Sequence, residues 1–567
     1  MSPHMSVRES VRMSARARLA FGTAAATALA LMISACGSGS STPSGASSSP
    51  AAITLSTTTP AATADIDSVS WGLPTGEPRS LDPAKTGDYS ANTVVANLCE
   101  SLLRLEPDFS TSPGLATKLE RANPVTTVIT LRDGVKFWDG TPMTADEVVY
   151  SLNRNLDPKV ASFSAAVFRN VDSIKATGPL EVTVTFKMPD AQFIDSMAGI
   201  AGAVVQKAFT EKAGPNVGAR GTGVMCTGPF SLSDWQSGSK IVLARNEGYW
   251  DTARKAKAKS FTFVVFNDES ALTSALKAGE VDGSYSPPTS SLATLSAPGV
   301  GTVYYGPSTE SYSLGPTASE GPAADPKIRQ ALNLAIDKAA IISTVLKGTG
   351  EPLKTFTPPL VWQGDPAKAT YDAGYAALPP VGAPDIEAAK KLVQEAKPSR
   401  TDMVMAIPSG AQSLLQVATL AQSAAQQIGL SFTIKQLQPA EFSALFYDPA
   451  ARKGIDFIAT TGYIEVPGAL YYAPAFVFPG APFNWTNYED PTVIANMGEA
   501  TTAMDPQVSA TKFVAAQAVY APANLQITLA GAYNRLFLGP KVTGAPASFA
   551  YISSPWAALV GGTGSGS

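Results

Sequence analysis

Histidine is all but missing from this chain of 567 residues, where His4 is the only one. From residue 5 onward no imidazole is present to serve a Ser-His-Asp or Cys-His mechanism, a His-containing zinc site or a His-ligated haem. Cysteine is nearly as scarce, with Cys36, Cys99 and Cys226 the whole set. Basic residues are in deficit: 42 Lys and Arg against 46 Asp and Glu give a formal net charge of −4. That balance argues against a nucleic-acid partner. Apart from an N-terminal stretch, no apolar run approaches the length of a membrane span.

Arg8, Arg12, Arg16 and Arg18 precede an apolar run from Leu19 that is too short and too alanine-rich for a comfortable span. Residues 1–35 are therefore expected to be a secretory signal, which would carry His4 away with it. Ile33-Ser34-Ala35-Cys36 resembles the lipobox of bacterial lipoproteins, and this implies diacylation of Cys36 and anchoring on the outer face of the cell membrane. Gly37 to Ala64 holds no charged residue and is rich in Ser, Thr, Pro, Ala and Gly. Such a segment cannot bury enough apolar surface to fold, so residues 36–64 are expected to be a disordered tether with a span of about 25–35 Å. Residues 561–567, a Gly/Ser tail, are expected to be flexible. The body between is longer than one growing core supports, which calls for at least two lobes. In an exported chain Cys99 and Cys226 are an even remainder. A disulfide between them is expected, with two buried thiols as the alternative.

Some enzyme motifs occur and carry little. Ser237-Gly238-Ser239-Lys240 and Ser274-Ala275-Leu276-Lys277 fit Ser-x-x-Lys, and Lys85-Thr86-Gly87 fits Lys-Thr-Gly. In penicillin-recognising enzymes the Lys-Thr-Gly strand follows the nucleophile helix, whereas here it precedes both candidates. Gly221-Thr222-Gly223 with Gly228 resembles a phosphate loop only superficially, because a strand follows it where a helix N-terminus is needed. Neither enzymatic chemistry, nor a metal, nor a cofactor is expected.

Secondary-structure signals are mixed. Ser70 to Leu73, the alternating Leu180-Val182-Val184-Phe186-Met188 and the run Phe261 to Phe266 read as strands. Asp133-Gly134 suggests a hairpin turn between Val128-Thr130 and Val135-Phe137. Thr144 with Glu147 three residues on suggests a capping box for a helix burying Val148, Val149 and Leu152. Asp325-Pro326 opens a helix with a stripe of Ile328, Ala331, Leu332, Ala335 and Ile336, in a region closed by Gly348. Asp385 caps another, with Glu387 and Lys391 as an i,i+4 pair and Pro398 as its stop.

Residue identities go further than these patterns. The run LRDGVKFWDGTPMTADEVVYSLNR from Leu131 to Arg154 resembles the signature DGxxFxDGxPxTAxDVxxS of family 5 solute-binding proteins of ABC importers, the oligopeptide and dipeptide receptors. Thr227-Gly228-Pro229-Phe230, Trp235, Ile241 to Asn246 and Tyr249-Trp250 are similar to that family's TGPYxLxxW and IxLxRNxxYW. Ile328 to Leu332 with Ala335-Ile336-Asp337 is similar to VRQALxxAID, and Asp385 to Ala396 to DPxKAKxLLxEA. The matches run in one order from about Ser70 to Phe537.

The resemblance implies an α/β, type II periplasmic-binding-protein fold, with two lobes, an inserted subdomain and a ligand cleft between the lobes. Lobe I is expected from residues 65–98, 206–312 and 520–560, the subdomain from 99–205 and lobe II from 313–519. Crossings between lobes are then expected near Thr309 to Leu314 and near residue 520. In peptide-binding relatives an Asp on a WxxDYxDP-type loop receives the peptide ammonium. Here that loop is Thr461 to Pro467, with Glu465 at or near the Asp position, Tyr463 beside it, and the Trp missing. A solvated loop Glu is the competing reading. Asn484, Trp485 and Asn487, in Phe483 to Tyr488, are further candidates for ligand contact, with lobe core as their alternative. Tyr312 and Ser313 lie on the crossing segment, whose edge could pair with an extended peptide; Gly315-Pro316 departs from the family there. The expected function is a lipid-anchored, monomeric receptor that takes a peptide or similar small solute to an ABC permease. An envelope regulatory or scaffolding lipoprotein with the same fold is the alternative.

Overall fold

A computed structural model of the protein describes residues 53–564. Cys36 and the signal segment lie outside the described residues.

Lobe I is built on a seven-stranded sheet in the spatial order Thr302–Gly306, Asn534–Leu538, Gly283–Tyr285, Ile66–Leu73, Ala258–Val265, Lys240–Arg245 and Phe230–Gln236. Ile66–Leu73 and Ala258–Val265 pair in parallel, and the aromatic residues of this central pair make the core. Trp71, Phe261 and Phe263 are fully buried, and Trp556 from the C-terminal segment packs 4.6 Å from Trp71. Tyr285 and Tyr551 stack at 3.5 Å beside them. Ser237 and Gly238 sit in the turn between the last two strands, where Gly238 takes φ +67. Their partner is the Glu77 carboxylate, which accepts from Ser237 Oγ and Gly238 N in an exposed turn.

Between Cys99 and Cys226 the chain builds a subdomain on a separate four-stranded antiparallel sheet in the order Ala116–Asn123, Thr126–Leu131, Glu181–Phe186, Val171–Gly178. Helix Ala145–Asn153 buries Val148 and Leu152 against it, while Val149 is only half-buried. Cys99 and Cys226 are joined as a disulfide, with Cα atoms 4.9 Å apart, and close off the subdomain at its root. A buried bidentate pair, Arg154 to Asp82 at 2.8 and 2.6 Å, ties the subdomain helix to lobe I.

Lobe II has a six-stranded sheet in the order Gly350–Glu351, Ile527–Ala532, Ser311–Pro316, Phe457–Gly462, Asp402–Pro408 and Ser431–Leu437. The last two strands are parallel and are connected by helix Gln412–Gln427, which buries Val417, Ala418, Ala421 and Ala425 along one side. Helix Pro326–Ala335 begins as expected, with the Asp325 carboxylate accepting from Lys327 N and Pro326 in the first turn. Asp385 caps Ile386–Ala396 in the same way.

Several local expectations give way to longer-range partners. Strand Thr126–Leu131 pairs with Ala116–Asn123 and Glu181–Phe186, not with Val135-Phe137. Gly134 therefore turns the chain out of the sheet at φ +78, and the tight return falls at Asp139-Gly140, where Phe137 N donates to Thr141 O at 2.9 Å. Thr144 makes no side-chain cap bond, and the Glu147 carboxylate, expected to reach back to the Thr144 amide, accepts instead from Lys207 N at 2.5 Å. Glu387 pairs with Lys390, one residue short of Lys391.

Three boundaries also shift. Residues 53–64 are not free tether: Ser56 N donates to Tyr305 O, Thr57 O accepts from Ala547 N, and Ala64 bridges Gly562. The tail is likewise held in part, with Gly561–Gly562 paired to Val542–Thr543. The second crossing lies at Tyr533, between Ile527–Ala532 in lobe II and Asn534–Leu538 in lobe I. Residues 520–532 thus belong to lobe II.

Candidate functional site at the lobe junction

The chain passes between lobes at Pro307–Glu310 and at Tyr533, and the two passages run side by side, Ala532 N donating to Glu310 O at 3.0 Å. Two adjacent extended segments of this kind can absorb a rotation while each lobe stays packed. Around them the lobes touch through specific bonds. Thr309 Oγ1 donates to Ile464 O at 2.6 Å, Arg79 to Ala440 O at 2.7 Å, and Ser413 Oγ to the Glu269 carboxylate at 3.3 Å. At the rim the Phe163 and Tyr447 rings meet edge to face at 6.3 Å.

The loop after Phe457–Gly462 packs into lobe I. The Tyr463 ring lies 4.6 Å from Tyr89 and 5.3 Å from Phe549, and its hydroxyl accepts from Asn92 Nδ2 at 2.9 Å. Burial raises that phenol well above its ordinary pKa. Glu465 is 5% exposed, and the structure gives it a task between protein groups. Its carboxylate accepts from Ile200 N at 2.7 Å, Tyr471 Oη at 2.8 Å and Ser553 Oγ at 3.0 Å. One side chain therefore joins lobe II to the subdomain and to lobe I. Burial raises its pKa, and the three hydrogen bonds oppose that shift.

The other expected residues separate. Asn484 holds its own loop, donating to Phe478 O and Tyr488 O and accepting from Tyr488 N. Trp485 packs on lobe II, its ring 5.8 Å from Phe446 and 4.6 Å from the Arg452 guanidinium, while Asn487 takes the left-handed turn position at φ +52. Ser313 is buried with no partner for its hydroxyl. Tyr312 is buried too, with its hydroxyl directed at Arg535. Strand Ser311–Pro316 has neighbours on both sides, Phe457–Gly462 and Ile527–Ala532. No free edge remains for a peptide strand, so recognition at this strand falls to side chains.

Two charged residues at the crossings escaped the sequence reading. Glu310 is 6% exposed and Arg535 5%, and burial raises the Glu310 pKa while Arg535 opposes the rise. Glu310 was visible in the first crossing segment. Arg535 gave no signal because the second crossing was expected some dozen residues earlier.

The sequence model of bacterial extracellular solute-binding proteins, family 5, matches residues 110–484. The periplasmic murein peptide-binding protein of Escherichia coli K12 is 35% identical over 300 residues, covering 50% of this chain and 55% of that relative. The glutathione-binding protein of Salmonella paratyphi A is 26% identical over 445 residues, covering 76% and 82%. In structure, the oligopeptide-binding protein of Bacillus subtilis in complex with a nonapeptide superposes with a TM-score of 0.76 at 17% identity, covering 88% of this chain and 99% of that one. The fold is thus the two-lobed type II periplasmic-binding architecture. Among the described residues no helix is long and apolar enough to cross a membrane, and no cluster of His, Cys, Asp and Glu is placed to hold a metal.

Proposed function

Because the chain belongs to the family 5 extracellular solute-binding proteins of ABC importers, which bind solutes and are not enzymes, we propose that it captures a short peptide or similar amide-rich solute between its lobes and delivers it to a permease. The observation that carries this reading is the junction itself: two side-by-side crossings, running in opposite directions, with buried charged side chains beside them and lobes that can rotate about them. The ligands named for the sequence relatives, a murein peptide and glutathione, support a peptide, while structures of the same fold hold a nonapeptide, agropinic acid and nickel-histidine. Cys36, at the lipobox-like Ile33 to Cys36, would tether the receptor to the outer face of the cell membrane beside that permease.

Native mass spectrometry of protein purified without denaturation tests the capture. A co-purifying solute that dissociates on mild activation is expected. Protein that carries none, and whose melting temperature is unmoved by a casein digest, would leave an envelope scaffold as the function. Anchoring is read separately: Cys36→Ala should release the protein from the membrane fraction into the medium.

A further inference from the structure

Most buried charges in this protein are closely satisfied. Arg154 meets Asp82 through two bonds of 2.8 and 2.6 Å. Arg329 donates to three carbonyls at 2.7 to 3.0 Å. Glu100 accepts from Tyr249, Thr227 and Trp250 at 2.7 to 2.9 Å, and Glu465 from three donors. Glu310 and Arg535 differ. The Glu310 carboxylate has a bond of 3.3 Å from Ser308 Oγ, and the Tyr89 hydroxyl lies against it without a bond of good geometry. The five N–H donors of Arg535 reach Pro287 O at 3.4 Å and Tyr533 O at 3.5 Å, with the Tyr312 hydroxyl close by. The two side chains form no direct ion pair with each other, nor with any other described residue.

Leaving such groups buried and loosely partnered is costly; Glu310 ends the first crossing, and Arg535 lies two residues past the second, in the lobe I strand Asn534–Leu538. A third charge, Glu269, also faces Arg535, so one guanidinium stands among two carboxylates. The arrangement is short of a cation and has donors to spare for an anion. We propose that Glu310 and Arg535 are the ligand-recognition pair of the cleft, Glu310 receiving an ammonium and Arg535 a carboxylate of one zwitterionic solute, a free amino acid or a short peptide with unblocked ends. This rests on the capture reading above and gives it a chemistry. It also places ammonium recognition at the hinge, since Glu465 is engaged by protein donors. A planar guanidinium suits a carboxylate in two parallel bonds, and a solute bridging both crossings would be bound only with the lobes together.

The test is native mass spectrometry of the intact protein with a casein digest containing free amino acids and short peptides, offered untreated, N-acetylated, and amidated at its carboxyls. Adducts are expected from the untreated digest alone, and the adduct mass tells an amino acid from a peptide. Glu310→Gln and Arg535→Lys should weaken the retained solute on the order of 30-fold or more, with melting temperatures of the solute-free proteins close to wild type. Blocked digests that bind as well as the untreated one, or variants that retain the solute unchanged, would overturn the pair's role while leaving capture intact. No adduct from any of the three digests would overturn the capture reading itself.

Discussion

Glu465 carries its negative charge into a fully enclosed place and has neutral donors around it but no cation. Such a carboxylate binds its proton more tightly in the folded protein than in the unfolded chain, and so does Glu310. The folded state then holds more protons than the unfolded one, and stability contributed by these groups is present below the ordinary glutamate pKa and is lost as pH rises through the raised values. Melting temperature is expected to be higher at pH 5 than at pH 8, and Glu465→Gln to flatten that slope; an unchanged slope would remove Glu465 from the account. Glu465→Ala takes the acceptor from Ile200 N–H, Tyr471 and Ser553 at once and should cost about 2–4 kcal/mol in urea unfolding. Asp82→Asn leaves Arg154 buried beside a neutral amide, for a loss of about 3–5 kcal/mol. At this scale the sequence was only partly legible. It pointed to Glu465 as a receptor for a ligand ammonium, with a solvated loop Glu as the alternative, and could not show that Ile200 and Ser553, 265 and 88 residues away, supply donors to it.

At the scale of elements, caps separate cleanly by whether their partners are local. Asp325 and Asp385 accept from backbone amides two and three residues on, and nothing remote competes for them. Asp325→Ala should cost about 1 kcal/mol. Thr144 has the same capping pattern in sequence, yet Glu147 is taken by Lys207 N, 60 residues away. Thr144→Ala is therefore expected to change stability by less than about 0.5 kcal/mol, and a loss as large as that at Asp325 would contradict the missing cap bond. Asp133-Gly134 follows the same logic. The dipeptide does turn the chain, but the strand before it already has two sheet partners and needs none from the residues after it.

Over the whole molecule, the bond between Cys99 and Cys226 closes a loop with a sequence separation of 127, which contains the inserted subdomain. Constraining so long a loop in the unfolded chain stabilises the folded one by about 4–5 kcal/mol. Urea midpoints with and without reductant should differ accordingly, and coincident curves would show that the bridge contributes nothing. The family and the two-lobed fold could be read from the chain, because order and spacing of motifs such as Leu131 to Arg154 and Thr227 to Trp250 are one-dimensional properties. So could the strands and helices whose partners lie a few residues away. Which polar groups face each other across the junction was decided only in three dimensions. Glu310 and Arg535 are 225 positions apart, and they come to the same place because two sheets, one of them with strands from both halves of the chain, pass it across side by side. Long-range strand pairing fixes that meeting, and no local pattern of residues encodes it.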